Sequence, residues 1–352
     1  MQTNKWIIAI LKIIKRIGIV ILLVLIFNLI PRPKSVAKNN FLVNKNHRPV
    51  LIAHGGGNME FPDNTLEAFY NALSIDPNVM METDVHMTKD GVIILSHDGS
   101  FDRKTDASGN VIDWNYTDLI SQEVDFNYHS PTSGGVRTSE APAIFKNYEG
   151  KTVTPLDVPY PDGILPRHES KFLATTLEEL IIHFPNNAIN VEIKQSGEIG
   201  LHALDSVISL MDKLDGVYNT YSRIVLASFH TEIFKKIKEY HRTNPAILFS
   251  PNSDGAIMLY VTHWFGFDFI CREPVSVLQI PTRQGAMPLD GRLFINAAHR
   301  HNIAVHYWTI NDENTMRDLA NKGADGIMSD KPSLLKKVLD DMYGPGDSQK
   351  HF

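Results

Sequence analysis

The sequence predicts a TIM (β/α)8 barrel with a long insertion after the second strand, preceded by an N-terminal transmembrane helix. Three observations carry the barrel. From Val50 to Met342 short apolar runs alternate with segments of helical periodicity, giving eight strand–helix units once the hairpin-like run 92–95 is set aside as an extra. The strand-like runs end in polar or ionisable side chains, as parallel barrel strands do at their carboxyl ends. The rival, an open doubly wound sheet, would need a G-x-G-x-x-G fingerprint, which Gly55-Gly56-Gly57 does not supply.

Taken in order, residues 1–30 are expected to be a membrane anchor. Residues 17–30, IGIVILLVLIFNLI, are almost wholly apolar and follow Lys5, Lys12, Lys15 and Arg16. Counted from Trp6, the segment is long enough to cross a bilayer if the basic side chains snorkel to one interface. The basic flank would stay in the cytoplasm, which would place the barrel on the extracytoplasmic side of a single-pass cell-membrane protein. A cleaved signal peptide is the rival reading. Residues 31–48, rich in Pro, Lys and Asn, read as a tether, and 49–345 as the barrel.

Within the barrel, Val50–Ala53 is strand-like and breaks at His54-Gly55-Gly56-Gly57. A helix follows, capped by Asn64 or Thr65, with Leu66, Phe69, Tyr70 and Leu73 at helical spacing. Val79–Met81 leads into Glu82-Thr83-Asp84, and Val92–Leu95 into Ser96-His97-Asp98. Periodicity is then lost. The stretch 125–172, dense in Pro and Gly, reads as an insertion; Tyr128, Phe145, Tyr148 and Tyr160 could line a cleft or form its own small core. Thr176–Phe184 reads as a helix and Ala188–Val191 as a strand leading into Glu192-Ile193-Lys194. Beyond it, strands are expected at 223–227, 246–249, 267–271, 303–306 and 325–328, with helices between them and a last helix opened by Pro332.

The strand ends suggest a chemistry. Glu82 and Asp84 are two residues apart on a strand, so they point the same way, and two adjacent carboxylates repel unless a cation lies between them. A hard divalent cation, Ca²⁺ or Mg²⁺, suits such oxygen ligands. Glu192 and Lys194 repeat the spacing with one carboxylate and one cation, as a site for both a metal and a phosphate would need. His54 and His97 end neighbouring runs, and their ordinary pKa suits proton transfer near neutrality. Each pair alone could be a solvated strand end. His86, two residues past Asp84, is left out because the chain there turns toward the hairpin. His230 is read as structural at a helix start, and His299, His301 and His306, which flank the seventh helix, as structural or exposed. A formal charge of −6 gives no electrostatic reason to expect nucleic acid, and the one cysteine, Cys271, excludes an intrachain disulfide.

This constellation resembles the glycerophosphodiester phosphodiesterase family. That family's signature is His-Arg-Gly, Pro-Glu-Asn-Thr, Glu-x-Asp-Val, Thr-Lys-Asp-Gly and His-Asp. The matching residues are His54-Gly55-Gly56, Pro62-Asp63-Asn64-Thr65, Glu82-Thr83-Asp84-Val85, Thr88-Lys89-Asp90-Gly91 and His97-Asp98. Asn190-Val191-Glu192-Ile193-Lys194 matches a further Asn-x-Glu-x-Lys pattern, and Phe101–Thr105 a leucine-x-arginine-threonine segment. The resemblance implies a metal-dependent hydrolase that takes a small-molecule or lipid-derived phosphodiester to glycerol 3-phosphate and an alcohol. Glu82, Asp84 and Glu192 would hold one divalent cation, and His54 and His97 would be acid and base. Lys194, Trp308 and the Gly55 loop would meet the substrate. One departure stands out: the family's arginine after the first histidine is Gly55 here. Arg167, His168, Lys171 or Arg272 could replace its charge, or the three glycines could offer backbone N–H groups. Activity on lysophospholipids, or a binding domain that has lost catalysis, are the alternatives. The metal-dependent amidohydrolases need a His-x-His on the first strand, which Ala53-His54-Gly55 does not provide.

Overall fold

The computed structural model describes residues 2–36, 38–42, 48–129, 132–133, 136–137 and 143–348. Its centre is an eight-stranded parallel sheet curled into a barrel. The strands are β1 (Val50–His54), β2 (Met80–Met87), β4 (Ile189–Ile193), β5 (Ile224–Ala227), β6 (Leu248–Phe249), β7 (Val277–Ile280), β8 (Ala304–Tyr307) and β9 (Gly326–Ser329). They follow one another around the barrel in chain order, and β9 pairs with β1. The seam between β6 and β7 carries one hydrogen bond, Ser276 N–H to Phe249 O at 3.1 Å. A short strand β3 (Ile93–Leu95) turns back antiparallel on β2. The strands are buried almost throughout because helices cover one face and the barrel interior the other.

Among the described residues, eight helices surround the barrel: α2 (Leu66–Ile75), α3 (Leu177–His183), α4 (Gly197–Tyr218), α5 (Thr231–Thr243), α6 (Ser253–Trp264), α7 (Arg292–Arg300), α8 (Glu313–Lys322) and α9 (Pro332–Tyr343). Their starts are chemically marked. The Thr65 hydroxyl accepts from Ala68 N–H, Thr176 and Glu179 form a capping box, and Asp312 accepts from Thr315 N–H. The main core lies between strands and helices and includes Phe69, Phe184, Val207, Ile237, Phe294 and Val338. A smaller cluster fills the amino-terminal end of the barrel, where Phe41, 1% exposed, meets Ile52, Met80, Val225 and Met328.

The stretch read as a tether thus lies against the barrel over residues 32–36 and 38–42. Arg32 pairs with buried Asp268 at 2.6 Å, and Asn39 donates to Ser276 O and Asn302 O. Residues 43–47 lie outside the described residues.

Two expectations are corrected. Residues Gln2–Leu29 do form one helix, α1, but no helix among the described residues is long and apolar enough to cross a membrane. The physical reason is spacing. Lys12, Lys15 and Arg16 divide the apolar sequence, leaving Ile17–Phe27 before Asn28, which as a helix spans about 16 Å, half of a hydrocarbon core of about 30 Å. The expected strand at 267–271 is instead a single 3-10 turn, Asp268–Ile270, and the sixth barrel strand is β7 at Val277–Ile280. Asp268 there is fully buried among Arg32, Arg300 and His301, which turns Phe267 and Ile270 outward.

The insertion packs onto the main core of the barrel. Phe126, Phe145 and Phe172 are buried, and Tyr160 lies edge-on to Tyr70 with ring centroids 5.2 Å apart. Tyr148 is on the surface, 42% exposed. Pro131, Gly134, Gly135 and Pro142 lie outside the described residues.

Candidate active site

Strand register assembles the site. His54, at the end of β1, lies opposite Glu82 of β2, and Asp84 of β2 lies opposite Glu192 of β4. Side chains two apart on β2 therefore share one level of the barrel mouth with both neighbours. Oxygens of Glu82, Asp84 and Glu192 all lie within 4.8 Å of one another. Burial, then the neighbouring Asp84 charge, pushes the Glu82 carboxyl up to about 8; burial also raises Glu192. Lys194 Nζ sits 3.3 Å from Asp84 and 3.1 Å from Glu192. Burial opposes its charge, but those carboxylates outweigh burial and raise its pKa. Three crowded carboxylates with a lysine drawn onto them form a set of hard oxygen donors with unbalanced negative charge. Such a set fits a divalent cation of the Ca²⁺ or Mg²⁺ type.

Each histidine is backed by an aspartate. His54 Nδ1 is 2.6 Å from Asp330 Oδ1, just beyond β9, and Asp330 is itself fixed by the Asn311 amide at 2.6 Å. His97 Nδ1 is 2.8 Å from Asp98 Oδ1, and Arg103 grips Asp98 twice, at 2.6 and 2.7 Å. A carboxylate partner puts a proton on Nδ1 and leaves Nε2 for the cavity. Burial works against the charge on His54, but Glu82 and Asp330 more than offset it and raise its pKa to about 10. Arg103 and His97 overcome burial at Asp98 and hold its carboxyl well below the usual range.

These groups line a cavity of about 200 Å³ together with Asn190, Ser228, Gln279 and an apolar wall. That wall is Trp308, just beyond β8, edge-on to Phe229 with centroids 5.8 Å apart. His54, His97, Glu82, Asp84, Glu192, Lys194 and Trp308 all reach this cavity. His230 does not; it contacts Lys194 O at 2.9 Å and starts α5. His86 is buried, contacts Ser96 O at 3.0 Å, and burial lowers it to about 4.

Gly55 has a different place from a substrate ligand. Its φ is +55°, an added Cβ would stand 2.8 Å from Asp63 Cβ, and its N–H donates to Glu82 Oε2 at 2.9 Å. The next two glycine N–H groups are also committed, to Ala53 O and His54 O. None of the four suggested cations lines the cavity. Arg167 is held by Glu67 and Thr175, Lys171 contacts Glu123, His168 accepts from Ser170 N–H, and Arg272 lies in a groove between α5 and α6. A cation does reach the loop: Lys104 pairs closely with Asp63 and donates to Asn58 at 3.2 Å.

Sequence reasoning missed Asp330, Arg103 and Asn64. Asp330 follows a strand end, which was the available signal, but its partner is remote in sequence. Asn64, held at φ +60°, receives the Thr83 hydroxyl at 2.7 Å and donates to Asp84 at 3.3 Å, so it orients a carboxylate of the cluster.

Comparison with known proteins agrees with this geometry. Residues 54–334 match the glycerophosphoryl diester phosphodiesterase family. A human lysophospholipase D is 27% identical over 308 residues, covering 82% of this chain and 85% of that protein. A glycerophosphodiester phosphodiesterase from Bacillus altitudinis is 21% identical, covering 83% and 98%. Among solved structures, an Oleispira antarctica phosphodiesterase in complex with the product sn-glycerol-3-phosphate shares the fold with a TM-score of 0.57. It is 17% identical and covers 83% of this chain and 97% of that one. The Thermotoga maritima glycerophosphodiester phosphodiesterase gives 0.54 at 19% identity, covering 83% and 99%. The chain belongs to the glycerophosphoryl diester phosphodiesterase family and is an enzyme of that class.

Proposed function

We propose that the enzyme hydrolyses glycerophosphodiesters to glycerol 3-phosphate and an alcohol, with His54 and His97 as the proton-transfer pair and a divalent cation on Glu82, Asp84 and Glu192. The observation that carries this is the pairing of each histidine with its own aspartate on either side of one carboxylate cluster. When bound, the cation supplies Lewis-acid polarisation of the phosphoryl oxygens. Lys194 adds a positive charge beside them. One histidine takes the proton of the attacking water or substrate hydroxyl, and the other returns a proton to the departing alkoxide. Asp330 and Asp98 hold the two rings so that Nε2, not Nδ1, meets the substrate. Phe229 and Trp308 support the glycerol or alkyl part by apolar contact.

A second reading, action on lysophospholipids, is favoured by what lies behind that wall. Phe229, Pro251, Gln279 and Trp308 also border an adjoining cavity of about 300 Å³, whose other lining residues include Ala256, Ile257, Ile280 and Leu289 and carry no ionisable side chain. The relatives named lysophospholipase D are in keeping with it. The exposed apolar side chains of α1 are in keeping with an enzyme that works near lipid. The deciding experiment is hydrolysis of glycerophosphocholine and lysophosphatidylcholine with Ca²⁺, Mg²⁺ or chelator, beside His54→Ala. Cation-dependent release of glycerol 3-phosphate, lost in His54→Ala, supports the first reading; faster release of acyl-glycerol phosphate supports the second. Turnover that survives both chelation and His54→Ala overturns the mechanism.

A further inference from the structure

The outer face of α6 and the turn after it have more apolar surface than folding uses. Asp254 is the only acidic or basic residue among Ser253–Trp264 apart from His263. Ala256, Leu259 and Tyr260 already pack inward. Met258, Val261, Trp264 and Phe265 nevertheless face outward at 45–55% exposure, and Phe267 and Ile270 continue the patch at 41% and 49%. A contiguous exposed patch of large apolar side chains marks a contact surface.

The protein itself shows what adjoins it. The end of α1 is seated on this patch: Phe27 lies 4.8 Å from Phe267 and 6.1 Å from Phe269, centroid to centroid. The approach is close enough that a Cβ at Gly266 would stand 2.9 Å from Asn28. The buried Arg32–Asp268 pair fastens the junction. Beyond Val24 and Phe27, α1 exposes Ile and Leu on every side. Patch and helix therefore form one continuous apolar surface.

We propose that this combined surface docks on an anionic lipid bilayer, with α6 and the 267–270 turn in the interfacial layer beside α1. α1 carries Lys12, Lys15 and Arg16 among its exposed apolar side chains, the mixture that lies in the interfacial layer of a bilayer. The charges agree. Lys12, Lys15 and Arg16 on α1, and Lys34 and Arg272 beside the patch, are exposed cations placed to meet anionic headgroups. Trp6 and Trp264 are the aromatic type that settles at such an interface.

The test is hydrogen exchange of the full chain with and without vesicles of phosphatidylcholine and phosphatidylglycerol. Slower exchange in peptides covering 256–270, as well as in α1, is expected. The Val261→Ser, Trp264→Ser, Phe265→Ser triple variant should lower vesicle partitioning at least about tenfold, while still hydrolysing water-soluble glycerophosphocholine, which shows that it folds. Protection confined to α1, or no protection at all, overturns the proposal. So does protection of 256–270 that appears without vesicles and grows with protein concentration, which would identify a second copy as the occupant.

Discussion

His54 and Asp330 are 276 residues apart in sequence, yet Nδ1 and Oδ1 meet at 2.6 Å. The contact exists because β9 pairs with β1 and closes the barrel at the point where both strands end. His97 obtains the same partner locally, from the next residue. The two rings are thus oriented by the same chemistry through a long-range and a short-range route.

Asp330→Asn should therefore act on turnover more than on binding. The amide no longer holds the Nδ1 proton electrostatically, so the ring loses its fixed tautomer and the support for its charged form. A fall in kcat of roughly 100-fold or more is expected, the scale of one acid–base group, with KM little altered. Steady-state kinetics on glycerophosphocholine checks it. A change confined to KM would remove His54 from proton transfer.

The carboxylate cluster should make the cation-free protein lose stability as pH rises. Glu82 has its folded pKa raised to about 8, so between its unfolded value of about 4.3 and 8 the folded state holds more protons than the unfolded. Stability from that group then declines across that window. His54, raised to about 10, is stabilised when protonated; its contribution is full below about 6.5 and is lost as pH climbs through 10. Both effects have the same sign. Adding Ca²⁺ or Mg²⁺ at about 100 times its Kd should restore about 2.7 kcal/mol, a rise in Tm of about 5 °C, and Asp84→Asn should abolish the rise. Thermal melts from pH 5 to 9, with and without cation, check both statements.

Much of this site was legible because its residues sit at strand ends in short, local motifs. Glu82, Asp84, Glu192 and Lys194 needed only the period of a strand to be placed together. What stayed hidden depended on partners far away in sequence. Phe267-Asp268-Phe269-Ile270 alternates like a strand, but Asp268 is buried by Arg32 and Arg300, and no local pattern carries that information. Likewise, the basic residues of α1 read as snorkelling flanks only while the length of the uninterrupted apolar run is ignored.

Phe41 provides a test of how the amino-terminal segment serves the barrel. It is 1% exposed and closes the barrel interior opposite the active site, against Ile52, Met80, Val225 and Met328. Phe41→Ala would leave a cavity in a closed core and should cost about 3 kcal/mol or more. Chemical denaturation of the full chain checks it. A loss under about 1 kcal/mol would mean that the segment is not part of the barrel's core.

The Gly55 position yields the last prediction. On charge alone, an arginine here would add a phosphate ligand and lower KM. The backbone argues otherwise. A side chain at φ +55° is strained, its Cβ would press on Asp63 at 2.8 Å, and the same residue's N–H supports Glu82. Asp63 is not free to yield, because it is paired closely with Lys104 and accepts from the Asn64 amide at 3.2 Å. Gly55→Arg should therefore destabilise the fold by about 1–3 kcal/mol and reduce kcat/KM through the displaced Glu82. Gly55→Ala, with the same Cβ and no charge, separates the causes. If both variants lose stability and activity alike, the backbone sets the requirement for glycine. If Gly55→Arg instead gains affinity while Gly55→Ala does not, the loop can move, and the missing charge was the limiting feature of the site.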